Sequence, residues 1–344
     1  MKFDVISRAA MYNGIGQAIT YQNKKLTVGA NDVLIRVKAS MFGKALQRAL
    51  VWGHPKIKPN TVLGTLFAGE VVNDNKFFKK GTRVVVNPHK SCGKCVNCLS
   101  GKQYLCTNTV KINPGGIARY VVIHENNVNS IEDLYDEISY EEAVLTEIIA
   151  CVLESIYKAG VNAEDHVLIA GSGLTSFIHA QILMSMGIKN IDILYKDEIR
   201  KSIIESIGAI AINSEYSKDE LLLCKRKNFA GFNGYDIVFE AVGSETVLEK
   251  CLDIVAPKGK IILFGGYCIG SSLNINLNFL HYKEVSLIGT YHFRDEYFRM
   301  SLDMLKENKL DLKMLITKYI FFEDLDKAVE EFSKKECIAL IVKY

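Results

Sequence analysis

Four of the chain's nine cysteines fall in one short window, Cys92-x2-Cys95-x2-Cys98-x7-Cys106. Four thiolates on tight, Gly-containing turns can close a tetrahedral shell around Zn2+, and a shell with no open position is structural. Four reduced thiols or an iron–sulfur cluster would fit the same spacing. A second group is Gly171-Ser172-Gly173-Leu174-Thr175-Ser176, a G-x-G-x-x-S after an apolar run and before a helical one. Its first glycine permits the turn, its second lets a pyrophosphate approach backbone N–H groups at a helix N-terminus, and the small third residue sets helix–strand packing. A plain tight turn is the structural alternative. The third group, Tyr195, Lys196 and Arg200, lies where an acid would hold the adenosine ribose of NAD(H). Tyr followed by two cations favours a 2′-phosphate, hence NADP(H), although a one- or two-residue shift would bring Asp197 to the NAD position. Val242 and Gly265, at the ends of two later apolar runs, are further candidates to line the cofactor cleft.

These residues need elements to hold them. Up to about residue 130 the chain reads as short β-type runs (32–40, 66–72, 82–88, 118–125) punctuated by Gly, Asn and Pro. From Ser139 to Gly160 the apolar positions recur every three or four residues, which predicts one helix ending at the glycine. Buried-type strands at 166–171, 190–196, 209–213, 235–243, 259–266 and 284–292 then alternate with helical runs at 176–187, 197–208 and 244–256. That alternation predicts a doubly wound parallel sheet. The segment after about 293 is too short for a third core and is assigned to the first domain. The expected organisation is therefore 1–150 with a cysteine lobe at about 88–107, a nicotinamide cofactor domain at 151–290, and a returning segment at 291–344.

Composition narrows the classes. At 344 residues the chain is long enough for about two domains. Half of it is hydrophobic, a quarter charged, and the 42 basic residues are scattered against 39 acidic ones. A net charge of +3 without clustering gives no phosphate-tracking surface, so nucleic acid is not an expected partner. There is no apolar stretch of signal-peptide or transmembrane type, so no membrane association and a reducing, cytoplasmic setting are expected.

The order of the motifs resembles the zinc-containing medium-chain dehydrogenase/reductase superfamily, the alcohol and polyol dehydrogenases. The likeness runs through GTRVVVNPHKSCGKCVNC, GGIARYVV, LTEIIACVLESI and LITKYIFFEDLDKAVEEF. It implies an α/β protein with a GroES-like β-rich catalytic domain and a Rossmann cofactor domain, acting on a small-molecule substrate as a homodimer or homotetramer.

Against that pattern, the segment after VLIRVKAS reads Met41-Phe42-Gly43-Lys44-Ala45-Leu46, with no catalytic Cys, and the usual Gly-His-Glu is Gly64-Thr65-Leu66. Of the catalytic zinc site only Glu147 stands where the polyol branch keeps an acid. One carboxylate cannot hold zinc, so the expectation is one structural zinc per chain and an empty catalytic site, although His54 or His89 could in principle rebuild a displaced site with Glu147. Losing a Lewis acid uncompensated would slow alcohol oxidation at least about a thousandfold. Three outcomes follow. A protein acid could protonate a carbonyl as hydride arrives, with Lys44 first and Glu147, Tyr291 or His292 behind it. Hydride could instead add to a conjugated or iminium carbon, as in an ene or imine reductase. Or the cleft could be a non-catalytic scaffold or sensor. Lys44, Arg48 and Arg294 could clamp an anionic sugar or acid.

Overall fold

The computed structural model describes residues 2–53, 57–108, 110–111, 115–228, 231–334 and 336–344. The chain divides into two units, Met1–Ala150 with Arg294–Tyr344, and Cys151–Phe293.

The first unit opens on β1 (Phe3–Tyr12), β2 (Thr20–Val28) and β3 (Val33–Phe42), followed by helix α1 (Lys44–Trp52). Next come β4 (Thr61–Val62), β5 (Phe67–Val71), β6 (Arg83–Val86) and β7 (His89–Lys90). Beyond a single-turn helix α2 (Val96–Leu99) lie β8 (Val110–Lys111), β9 (Tyr120–Ile123) and β10 (Ile131–Asp133). The two predicted strands at 66–72 and 82–88 are the adjacent antiparallel pair β5 and β6.

The helix expected from Ser139 to Gly160 is two helices, α3 (Tyr140–Ala143) and α4 (Thr146–Ala159). Ser139 and Glu142 form a reciprocal capping box that starts the first. The break at Val144–Leu145 puts Glu147 in the first turn of a helix, where the positive end of the helix dipole favours a carboxylate.

The second unit is built on β11 (Val167–Ala170), α5 (Leu174–Ser185), β12 (Ile191–Tyr195), α6 (Glu198–Ile207), β13 (Ile210–Asn213) and α7 (Lys218–Asn228). It continues through β14 (Tyr235–Glu240), α8 (Glu245–Ile254), β15 (Val255–Leu263), α9 (Leu277–Lys283) and β16 (Ser286–Gly289). Its six strands are all parallel, in the order β13-β12-β11-β14-β15-β16. The order reverses between β11 and β14, so the crevice beyond their carboxyl ends is the topological switch point where such sheets take ligands. Leu168, Ala170, Val238 and Ile261 are fully buried in its core, which is why these strands read as continuous apolar runs.

Arg294 returns the chain to the first unit with α10 (Asp295–Lys306), β17 (Ile316–Phe321), α11 (Ala328–Ser333) and β18 (Ala339–Lys343). β18 pairs antiparallel with β3 and parallel with β17, within a sheet ordered β10-β6-β5-β3-β18-β17. Leu340, Val342, Phe322 and Leu325 are buried in one core with Phe42, Leu46 and Leu50. No helix of the described residues is long and apolar enough to cross a membrane.

Candidate functional site

The four cysteine sulfurs lie within 4.8 Å of one another. The separations are 3.5 Å for Cys95–Cys98 and 3.9 Å for both Cys92–Cys98 and Cys95–Cys106. A tetrahedron with Zn–S bonds of about 2.3 Å has edges of about 3.8 Å, and a disulfide would need about 2.05 Å. The set therefore fits zinc. Backbone N–H donors from Cys98 and Thr107 hold the Cys95 thiol down at about 5, while burial and the neighbouring thiols push Cys98 up to about 11. A dication would balance such crowded thiolates.

In the second unit, Gly171 has φ 128°, which only glycine adopts readily, and a Cβ there would meet Val242 Cγ2 at 2.9 Å. A Cβ on Gly173 would meet nothing within 4 Å, so the space a pyrophosphate would need over the turn is open. Leu174 and Thr175 open α5 behind Gly173, where no side chain caps the helix, so first-turn N–H groups are available to an anion. Ser176, the third motif position, is 1% exposed with a hydroxyl that has no hydrogen-bond partner among the described residues. The turn fits a dinucleotide.

β12 ends on Tyr195 with no acid at the strand terminus. The nearest acid, Asp197, caps α6 by accepting the Arg200 N–H at 3.0 Å. Lys196 is exposed, and Arg200 is half-buried. Val242 is 51% exposed beside the glycine turn. Gly265 is so close to Gly243 that a Cβ would lie 2.1 Å from the Gly243 nitrogen.

In the first unit, positions 41–46 and 64–66 hold no Cys or His. Met41 and Phe42 are buried apolar residues and Gly64 a turn glycine of φ 80°. Candidate ligand atoms of His89 and Glu147, both half-buried, lie within 4.8 Å of each other. The His89 main-chain N–H donates to Asn87 Oδ1 at 3.0 Å, and its strand pairs with the one containing Lys111. An imidazole and a carboxylate are donor types that suit a proton relay and that zinc also takes. Lys44 lies exposed in the first turn of α1, its ammonium donating to Gln47 Oε1 at 3.0 Å. His54 lies outside the described residues. Arg294 pairs with Glu296 at 3.5 Å and stacks over Tyr297, so it is engaged locally. A separate cavity of about 300 Å3, lined by Phe78, Tyr135 and Arg299 among others, shares no residue with the pair.

Sequence reasoning gave His89 little weight, since it is 58 positions from Glu147 and nothing local links the two. It missed Glu240 altogether, a charge inside an apolar strand.

Residues 29–133 match the alcohol dehydrogenase GroES-like domain, and residues 177–307 match the zinc-binding dehydrogenase family. The chain is 26% identical to the sorbitol dehydrogenase of Halalkalibacterium halodurans, over 96% of each protein. Among solved structures it is similar to a putative zinc-binding dehydrogenase of Sinorhizobium meliloti bound to NADP, with a TM-score of 0.87, 20% identity, and coverage of 99% of this chain and 100% of that one. A short chain alcohol dehydrogenase of Escherichia coli complexed with NADH superposes with the same TM-score of 0.87 at 20% identity, covering 98% of this chain and 99% of that one. With its GroES-like and Rossmann-type units and these relatives, the chain belongs to the zinc-type medium-chain alcohol dehydrogenase-like superfamily of oxidoreductases.

Proposed function

We propose that this protein is an NADP(H)-dependent reductase of a carbonyl substrate that works without a catalytic zinc and draws its proton from the His89–Glu147 pair. The observation that carries the reading is the juxtaposition of His89 and Glu147 within 4.8 Å in a unit where positions 41–46 and 64–66 offer no Cys or His. Reduction needs less from the protein than alcohol oxidation. Hydride arrives at a carbon that is already electrophilic, and the enzyme must deliver one proton to the developing alkoxide. An imidazole beside a carboxylate suits that task, because the carboxylate stabilises the imidazolium before the proton leaves. The nicotinamide cofactor supplies the hydride. The chain's own residues seat the cofactor at Gly171–Thr175 and hold the proton at an imidazole nitrogen of His89.

The choice of NADP(H) rests on this chain's residues, since its structural relatives include both an NADP and an NADH complex. The absence of an acid at the end of β12, the use of Asp197 as a helix cap, and the nearby Lys196 and Arg200 all favour a 2′-phosphate. The test is NADPH consumption at 340 nm against a panel of ketones and aldehydes, anionic ones included. Turnover supports the reading, and turnover confined to enones or imines contradicts it.

A further inference from the structure

Glu240, the last residue of β14, is fully buried, and the loops around it converge on its two ends. Its carboxylate accepts the Val242 N–H at 2.9 Å, the Gly243 N–H at 2.9 and 3.1 Å, and the Tyr267 hydroxyl at 2.8 Å. Its main-chain carbonyl accepts the N–H groups of Phe264 and Gly265 at 3.0 and 2.8 Å. One residue thus ties the loop after β14 to the loop after β15. The two loops cross backbone to backbone. A Cβ on Gly243 would fall 2.5 Å from the Gly266 carbonyl oxygen, and one on Gly265 would fall 2.7 Å from Gly243 Cα.

The placement of these loops gives the clamp a use. In a doubly wound sheet the acid or cation after the second strand reads the adenosine ribose, so the adenosine half lies over β11, β12 and β13. The nicotinamide half would then lie over β14, β15 and β16, beyond the carboxyl end that Glu240 occupies. Val242, two residues on, carries an isopropyl group that is 51% exposed and overhangs the Gly171 turn. Exposure of an apolar side chain at the mouth of a crevice suits a surface that a ring will cover. Charge-assisted bonds to a buried carboxylate are stronger than neutral ones, so this loop is fixed before the cofactor arrives.

We propose that Glu240 is a positioning residue for the cofactor, holding Val242 and the Gly243–Gly265 crossing in the arrangement that receives the nicotinamide half. It acts through the Val242 and Gly243 amides and not by touching the cofactor. The inference rests on the reading of the second unit as a nicotinamide cofactor domain.

The experiment is a fluorescence titration of the full-length protein with NADPH, alongside its thermal midpoint and zinc content. Glu240→Gln keeps the shape but cannot accept from every donor, and its Kd for NADPH should rise tenfold or more with zinc content unchanged. Tyr267→Phe, which removes one of the bonds at a partly buried site, should raise Kd about threefold and serves if the first variant does not fold. Asp192→Asn is the control. It breaks the buried Asp192–Lys225 pair of the same unit, 2.7 Å apart, away from both loops, and should lower the midpoint while leaving Kd unchanged. Wild type that binds neither NADPH nor NADH would overturn the cofactor reading and this inference together. Wild type that binds, with Glu240→Gln or Tyr267→Phe binding equally well, would overturn the inference alone.

Discussion

His89 and Glu147, 58 positions apart in sequence, are brought within 4.8 Å of each other by a two-residue strand and the first turn of α4. Each alone is an ordinary polar residue of a half-buried surface. Together they form an imidazole–carboxylate pair in a unit whose positions 41–46 and 64–66 hold no Cys or His. If the pair delivers the proton, His89→Ala and Glu147→Gln should each lower kcat by about 100-fold or more, the usual range for loss of a general acid. NADPH affinity, measured by titration, should stay within about twofold. Full activity in both variants would remove the pair from the mechanism.

Cofactor choice is the second expectation. Lys196 and Arg200 follow the end of β12, and Asp197 accepts a cap bond from the Arg200 N–H at 3.0 Å. NADPH should bind at least about tenfold more tightly than NADH, worth about 1.4 kcal/mol. Lys196→Ala should shrink that ratio by weakening NADPH and leaving NADH alone. A preference for NADH in the wild type would contradict the assignment.

The cysteine lobe should behave as a structural element. Cys98 is the buried member of the four, and Cys98→Ser should release the zinc and lower the thermal midpoint. Elemental analysis and a melting curve, with and without a strong chelator, check this. An unchanged midpoint after complete zinc loss would show that the lobe does not need the metal.

Acid sensitivity should come in part from His179 on α5. It is fully buried, its Nδ1 lies 2.7 Å from the Thr175 carbonyl and its Nε2 2.8 Å from the Ser155 hydroxyl, and the rings of Phe239 and Phe264 enclose it. Burial depresses it to about 4 from 6.5. Below pH 6.5 the unfolded chain takes up a proton that the folded chain refuses, so stability falls with falling pH until about pH 4, by roughly 3 kcal/mol in all. Urea melts of the wild type and His179→Gln across that window check the sign: the variant's stability should fall less steeply.

Much of the fold was legible because its physics is local. The strands of the second unit are buried on both faces and read as unbroken apolar runs, and Gly171 and Gly173 carry the turn in their own identities. β1 and β2 escaped notice because Asp4, Arg8, Asn23 and Lys25 at their exposed positions break up the apolar residues along most of their length. The break at Val144–Leu145 was invisible because both are apolar residues that continue the helical pattern, and the Ser139 capping box marks where the short helix starts and not where it ends. The cysteine shell could be read from spacing, since its four ligands span 15 residues. The His89–Glu147 pair and the Glu240 clamp could not, because each depends on strand pairing and loop crossing between distant segments.

The central claim is that hydride chemistry here proceeds with a single, structural zinc. Zinc per chain, measured by elemental analysis on purified protein that is also shown to oxidise NADPH with a carbonyl substrate, tests it most directly. The expected result is one zinc per active chain, lost on Cys98→Ser and retained on His89→Ala. Two zincs, with one lost in His89→Ala, would contradict it and would make His89 and Glu147 ligands of a rebuilt catalytic metal site.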